Sequence, residues 1–279
     1  MASDERSLGR TGATVLPVSL GGEGVLRTTN RAREAVPVIL EAFRLGVRYC
    51  DTAPAYQQSQ DYYGAALREA GAAARAQIFL ASKVHERRRD RAFRLLDDSL
   101  ARLGTDHLDL WQMHDLREPA DLDALFGRGG AIEAADAARA DGRVRFVGLT
   151  GHQDPAILLE AMRRYDFDSV LCPINPADPA QLPFVTSVVP EARRRGMGVV
   201  GMKVLAAGRL VAEGAARADE LIRYAAGFAD TVVIGCSSVD EVRANFALNR
   251  DFQPLDAAAR TALEARIAPR AARYDYFKG

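Results

Sequence analysis

Four side chains in this sequence have the types and spacing to move a proton onto an oxygen: Asp51, Tyr56, Lys83 and His114. A tyrosine of ordinary pKa, about 10, is a poor acid at neutral pH. An adjacent ammonium stabilises the phenolate and lowers that value. Lys83 is expected to be that ammonium, with Asp51 holding it in an ion pair. His114 is expected to donate a hydrogen bond to a substrate oxygen and orient it. The Tyr56 phenol then delivers a proton to an oxygen that gains negative charge. Such chemistry suits reduction of a carbonyl by a hydride donor. Singly, each residue has a plainer role: a structural ion pair, a core histidine, a packing tyrosine. The four together at consecutive strand ends favour chemistry.

The elements that must position them can be read from the pattern. Residues 47–51 form a short apolar strand with Tyr49 and Asp51 on one face, because strand side chains alternate with period two. A carboxylate at the end of a buried strand needs a cationic partner. Ala81 with Lys83, and Gln112 with His114, repeat that parity on strands at 77–83 and 108–114. Helices are expected at 30–45, capped by Asn30, then near 60–71 and at 89–103. The alternation continues with a loop at 115–129, helix 130–141, strand 144–150 and helix 155–165 opened by Asp154-Pro155. Strand 169–174, helix 183–195, strand 198–203, helix 219–228, strand 231–235, helix 239–248 and a helical tail at 256–268 complete it. Strand ends recur about every 30 residues. Eight strand–helix units after a hairpin at 6–17 predict an α/β fold, a (β/α)8 TIM barrel, as one domain over residues 1–279. A doubly wound sheet would show a Gly-x-Gly-x-x-Gly turn into a helix. The first strand instead ends Gly21-Gly22-Glu23-Gly24 with no helix directly behind.

Composition narrows the class. The chain has 279 residues, 48 % hydrophobic and 27 % charged, with zero formal net charge and a pI near 6.9. No electrostatic footprint for nucleic acid or an anionic membrane is visible. Three cysteines without a CxxC fit a reducing, cytoplasmic setting rather than a disulfide framework. The polar start has no signal-peptide core, and no apolar run is long enough to span a membrane.

Taken in order, Leu8-Gly9-Arg10-Thr11-Gly12, Asp51-Thr52-Ala53 with Tyr56, Ser59 and Gly64, Lys83, His114, the run Gly142-Arg143-Val144-Arg145-Phe146-Val147-Gly148, and Asn245 make this chain resemble the aldo-keto reductases over nearly its whole length. The resemblance implies an NADPH-dependent reductase of aldehydes and ketones. Tyr56 would be its general acid, Lys83 and Asp51 the tuning partners, and His114 the orienting residue. It also implies a cofactor, NADP with NAD as an alternative, lying across the barrel mouth along Gly22, Thr150, Gly151, Asn175, Met202, Lys203, Gly208, Cys236, Ser237, Ser238, Glu241 and Asn245. Departures from the family pattern fall on that path. Thr150-Gly151 replaces a Ser-Asn pair, Leu171 a glutamine and Met202 an aromatic. Lys203 stands where a small hydroxyl residue is frequent and is expected at the pyrophosphate. Ser237 and Glu241 stand where basic residues grip a 2′-phosphate. Ser238 and Glu241 are spaced as a capping box, and Arg243 is a substitute grip.

Three other readings remain open. His85, His114 and His152 follow successive strand ends, as in a metal-dependent barrel hydrolase, although no His-x-His pair is present and Lys83 would repel a cation. A cofactor-binding, redox-sensing subunit of a larger assembly would keep the same four residues. An epimerase would use the cofactor internally. The expected partner is a small carbonyl compound, and the short tail after residue 251 predicts an open mouth suited to a bulky or sugar-like one. Oligomeric state is not legible.

Overall fold

The structure, a computed structural model, describes residues 4–278; residues 1–3 of the polar N-terminal stretch and Gly279 lie outside the described residues. Two short strands, β1 (Arg6–Ser7) and β2 (Thr14–Val15), pair antiparallel as the expected hairpin. Eight parallel strands follow: β3 (Val18–Gly24), β4 (Tyr49–Asp51), β5 (Phe79–Val84), β6 (Leu108–Met113), β7 (Val144–Thr150), β8 (Ser169–Pro173), β9 (Gly198–Met202) and β10 (Thr231–Cys236). They close into a barrel in sequence order, with β10 pairing β3. Helices cover the outside, which is why β5, β6 and β8 are buried along their whole length.

Two apolar cores result. Alternate strand residues point outward against the helices and form the larger one. The inner core is small: Tyr49, Phe79, Ala81, Leu110, Leu171 and Val200 belong to it. The Tyr49, Phe79 and Phe146 rings stack in series at 5.7 and 6.0 Å. The hairpin plugs the N-terminal end of this core with Leu8 and Val15, both buried. Gly198 makes room for the plug, since a Cβ there would lie 2.8 Å from Leu8 Cδ1.

The N-terminal end of the barrel is pinned by three aspartates. Asp109 accepts the Leu80 N–H (2.9 Å), Asp168 the Val147 N–H (2.8 Å) and Asp230 the Val199 N–H (2.8 Å). Each carboxylate thus ties its own segment to a neighbouring strand, and each also meets arginine: Asp109 Arg75 and Arg145, Asp168 Arg10 and Arg139, Asp230 Arg193.

Local signals placed most helices. Asp154 caps Pro155–Arg164 through the Ala156 N–H at 2.8 Å, and Asp256 caps Ala257–Ile267 through Ala259 N–H at 2.8 Å. Asn30 is not the cap of Ala32–Arg44. It sits at φ +60°, Arg31 holds the cap position, and the Asn30 N–H goes to the Gln58 side chain. The expected loop at 115–129 contains a helix, Pro119–Phe126, whose two-turn length is too short for periodicity to register. Short turns at Ala72–Arg75, Arg209–Ala212 and Ala271–Tyr274 escape the pattern for the same reason.

The C-terminal tail folds back onto the barrel. Lys278 Nζ is buried between Asp178 (2.7 Å) and Asp275 (3.2 Å) and also bonds the Gln181 carbonyl (2.7 Å). Phe277 is thereby drawn over the ends of β7 and β9, against His152 and Lys203. A buried ammonium requires carboxylates, and the one after β8 lies 100 positions upstream, beyond the reach of any local signal.

Candidate active site

The barrel register brings the sequence-predicted group together at the C-terminal ends of β4, β5 and β6. Asp51 pairs with Ala81, and Lys83 with Gln112, so Lys83 stands one layer above Asp51 on the inner wall. Lys83 Nζ lies 2.5 Å from Asp51 Oδ2 and 2.9 Å from the Thr52 carbonyl, and its side chain is fully buried. Gln112 donates from Nε2 to the other oxygen, Asp51 Oδ1, at 3.2 Å. Burial pulls the Lys83 pKa down, with Asp51 working against it, and pushes the Asp51 pKa up, with Lys83 working against it.

Tyr56 rises from the loop after β4. Its ring packs edge-on to His114, centroids 5.9 Å apart. Lys83 Nζ stands 4.6 Å from the ring centroid, and the Arg27 guanidinium, held by Glu23 at 2.7 Å, stands 5.0 Å from it. This corrects one expectation. The ammonium faces the ring rather than the hydroxyl, and burial, followed by the Asp51 and Glu23 charges, raises the phenol's pKa well above its ordinary value. The phenol is therefore protonated at neutral pH.

His114 follows β6 with Nδ1 buried and unbonded among the described residues. Burial and the Lys83 charge push its pKa down to about 2, so the ring is neutral and able to donate one hydrogen bond. His85, His114 and His152 do not assemble as ligands: no group of three or more His, Cys, Asp or Glu side chains among the described residues is placed to hold a metal ion. No helix among them is long and apolar enough to cross a membrane.

Gly22 also has a packing role. A Cβ there would meet the Tyr56 ring at 2.5 Å and the Asp51 carbonyl at 3.0 Å, so its missing side chain is what lets Tyr56 sit where it does. Sequence reasoning gave no role to Gln112, although its position two residues before His114 put it on the inner face. It also missed Arg27 and Asp115, for which no local signal exists.

The residues expected along the cofactor path divide. Thr150 is buried and its Oγ1 accepts the Asp115 N–H at 3.4 Å. Gly151 is required by packing, since a Cβ would meet the Leu116 carbonyl at 2.7 Å. Asn175 uses both ends of its amide on the chain, Nδ2 to Lys203 O (3.2 Å) and Oδ1 from Ala177 N–H (2.9 Å). All three thus also make contacts within the scaffold. Met202 is partly exposed at the rim of the inner core. Lys203, at φ +56°, places its ammonium 5.6 Å from the Phe277 ring centroid. Gly208, at φ +84°, opens the turn Arg209–Ala212.

At β10, Cys236 is buried with Asn245 Nδ2 3.7 Å from its sulfur. Ser238 caps Val239–Phe246 by accepting the Glu241 N–H at 3.2 Å. The return arm of the expected capping box lands one residue early: Glu241 Oε2 accepts the Ser237 N–H at 2.7 Å. Arg243 is also engaged, its Nε donating to Glu41 Oε1 at 2.7 Å, where Glu41 is shared with Arg44.

A family model described as the aldo/keto reductase family matches residues 17–220. This chain belongs to the aldo/keto reductase family. It is an oxidoreductase, as the names of its relatives in that family also say. L-galactose dehydrogenase of Arabidopsis thaliana is 28 % identical over 229 residues, covering 75 % of this chain and 67 % of that protein. Among solved structures, the holo form of an aldo-keto reductase from Bacillus halodurans superposes with a TM-score of 0.78 at 23 % identity, covering 95 % of this chain and 96 % of that one. An aldo-keto reductase from Klebsiella pneumoniae in complex with NADPH superposes with a TM-score of 0.77 at 20 % identity, covering 96 % of each chain. The family pattern read from the motifs and the fold read from the strand spacing thus agree.

Proposed function

We propose that this oxidoreductase reduces an aldehyde or ketone to an alcohol, with Tyr56 as the general acid. The observation that carries the reading is the meeting of Tyr56, His114 and the buried Asp51–Lys83 pair at one corner of the barrel mouth. His114, neutral, donates to the carbonyl oxygen and fixes its direction. Tyr56 gives its proton to that oxygen as charge develops there. Lys83, held by Asp51, supplies the positive field that stabilises the phenolate left behind. Gln112 keeps Asp51 turned toward the lysine, and Gly22 leaves the space in which Tyr56 can approach the substrate.

The acceptor chemistry calls for a nicotinamide, which supplies or takes the hydride when bound. The residues fit such a group at two ends of the mouth. Met202 offers a partly exposed apolar surface beside the inner core, suited to a flat ring. The start of Val239–Phe246 offers backbone N–H groups to the adenosine end. The family expectation is NADP(H), and the Klebsiella relative binds NADPH. In this chain, though, the Ser237 N–H is taken by Glu241 and Arg243 by Glu41. We therefore assign it use of both NADPH and NADH, with a preference below about tenfold, the worth of one exposed charge contact.

The test follows the fluorescence of the reduced nicotinamide during titration, then its consumption on adding an aldehyde. Binding of both cofactors followed by turnover supports the reading. Binding without turnover of any aldehyde, ketone or sugar favours a redox-sensing subunit instead. Binding of neither cofactor removes the proposal. The Arabidopsis relative is named a dehydrogenase, so the alcohol direction is measured alongside.

A further inference from the structure

A second cation stands beside the Tyr56 ring. The Arg27 guanidinium carbon lies 5.0 Å from the ring centroid, against 4.6 Å for Lys83 Nζ. The two cations differ in setting. Lys83 is fully buried and paired with Asp51. The Arg27 side chain is 44 % exposed, and its Nη1 donates to Glu23 Oε1 at 2.7 Å. The backbone brings Arg27 there on a fixed path. β3 ends at Gly24, whose φ of +70° turns the chain into a single 3-10 turn, Val25–Arg27. Val25 and Leu26 are buried and anchor that turn, so Arg27, at its end, faces the ring.

The contact is worth more after proton transfer than before it. Against the neutral phenol the guanidinium makes a cation–π contact of modest strength. Against the phenolate it meets a full negative charge spread into the same ring. An interaction that strengthens as the reaction proceeds lowers the barrier, whereas one of constant strength does not. Glu23 reaches the same ring with the opposite sign. Burial, then the Asp51 and Glu23 charges, hold the proton on Tyr56, and Arg27 acts against them. Asp115 adds to the negative side, and the neutral His114 ring packs edge-on. Glu23 and Arg27 also act in opposite senses on Lys83.

Resting on the reading of Tyr56 as general acid, we infer that Arg27 is a positioning residue for this reaction, its charge stabilising the phenolate that Tyr56 becomes. Glu23 sets the strength of that help. It holds the guanidinium in place and offsets part of its charge. Lys83 with Asp51 then supplies a buried field, and Arg27 with Glu23 a weaker one at the solvent edge.

The experiment compares wild type with Arg27→Met, Arg27→Lys, Glu23→Gln and Tyr56→Phe. It measures kcat for carbonyl reduction, cofactor affinity, and the pH profile of the reverse alcohol oxidation, in which Tyr56 takes the proton back. Methionine keeps the stem and removes the charge; lysine restores the charge. Glutamine keeps an acceptor for Nη1 and removes the negative charge. Arg27→Met should lower kcat about threefold to tenfold, the worth of a half-exposed charge. It should also move the alkaline limb of the profile up by about 0.5–1 pH unit, the same factor read as a pKa. Arg27→Lys should recover most of the loss. Glu23→Gln should move the limb down and leave kcat at or above wild type. Cofactor affinity should change by less than about twofold in the Arg27 and Glu23 variants. An unmoved limb, a limb that moves the same way in Arg27→Met and Glu23→Gln, a lysine no better than methionine, or a loss confined to cofactor affinity would overturn the inference. With Tyr56→Phe inactive, the general-acid reading survives each of those results. Activity retained by Tyr56→Phe removes that reading, and this inference with it.

Discussion

The two ends of the barrel handle polar groups in opposite ways. At the N-terminal end, Asp109, Asp168 and Asp230 each accept a strand N–H and meet at least one arginine. At the C-terminal end, His114 Nδ1 and Asp115 Oδ1 are buried without a hydrogen bond, and Asp115, Lys203, Ala206 and Ala207 all hold positive φ. The exposed large apolar side chains, Leu182, Val211 and Tyr276, also belong to loops or the tail at this end. The paired aspartates stabilise the closed barrel. An end with unspent donors, acceptors and strain is where a ligand has something to complete.

If that contrast is right, substitutions at the two ends should fail in different assays. The largest effect is expected at the N-terminal end. Asp109→Ala leaves Arg75 and Leu80 N–H without their acceptor and should cost about 3–5 kcal/mol in urea unfolding. Its kcat/KM should remain within about twofold of wild type; a large loss of activity in the folded variant would break the contrast. Next comes Gly22→Ala at the C-terminal end. The added methyl displaces the Tyr56 ring, and a misplacement of about 1 Å should lower kcat about a hundredfold. Its unfolding midpoint should move little.

His114 sharpens the comparison through pH. Its folded pKa is pushed down to about 2, below the unfolded value of about 6.5. The unfolded chain therefore takes up a proton first, and stability falls as pH drops below the unfolded value. The loss should reach ~2 kcal/mol near about pH 5, and His152, lowered in the same direction, adds to it. His114→Gln should flatten the slope; an unchanged slope would show that the histidine is not held neutral. The smallest effect concerns the cofactor. Glu241→Arg removes the acid tied to Ser237 N–H and should shift the NADPH to NADH affinity ratio toward NADPH by about tenfold. A ratio that does not move would place the adenosine end elsewhere.

How much of this was legible depended on whether a local rule or a distant partner decided the outcome. Alternating burial and regular strand spacing were enough for the barrel, because parallel strands need a crossover and the crossovers here are periodic. Asp51, Lys83 and His114 could be aligned from parity alone, since neighbouring strands in a barrel keep a fixed register. The ammonium's approach to the Tyr56 ring could not, because loop conformation sets it. The scaffold contacts of Asn175 and the tight packing at Gly151 could not be read either, because neighbouring loops make them. The anchoring of the tail was not legible because its partner, Asp178, is far away in sequence.

The most direct test of the central claim is the comparison of Tyr56→Phe with wild type for reduction of a carbonyl by NADPH or NADH, with cofactor affinity measured on the same samples. The account predicts a loss in kcat of about 10²–10⁴-fold, the worth of a general acid, with cofactor affinity unchanged. Activity retained within about tenfold of wild type would contradict it and take from Tyr56 the role of proton donor.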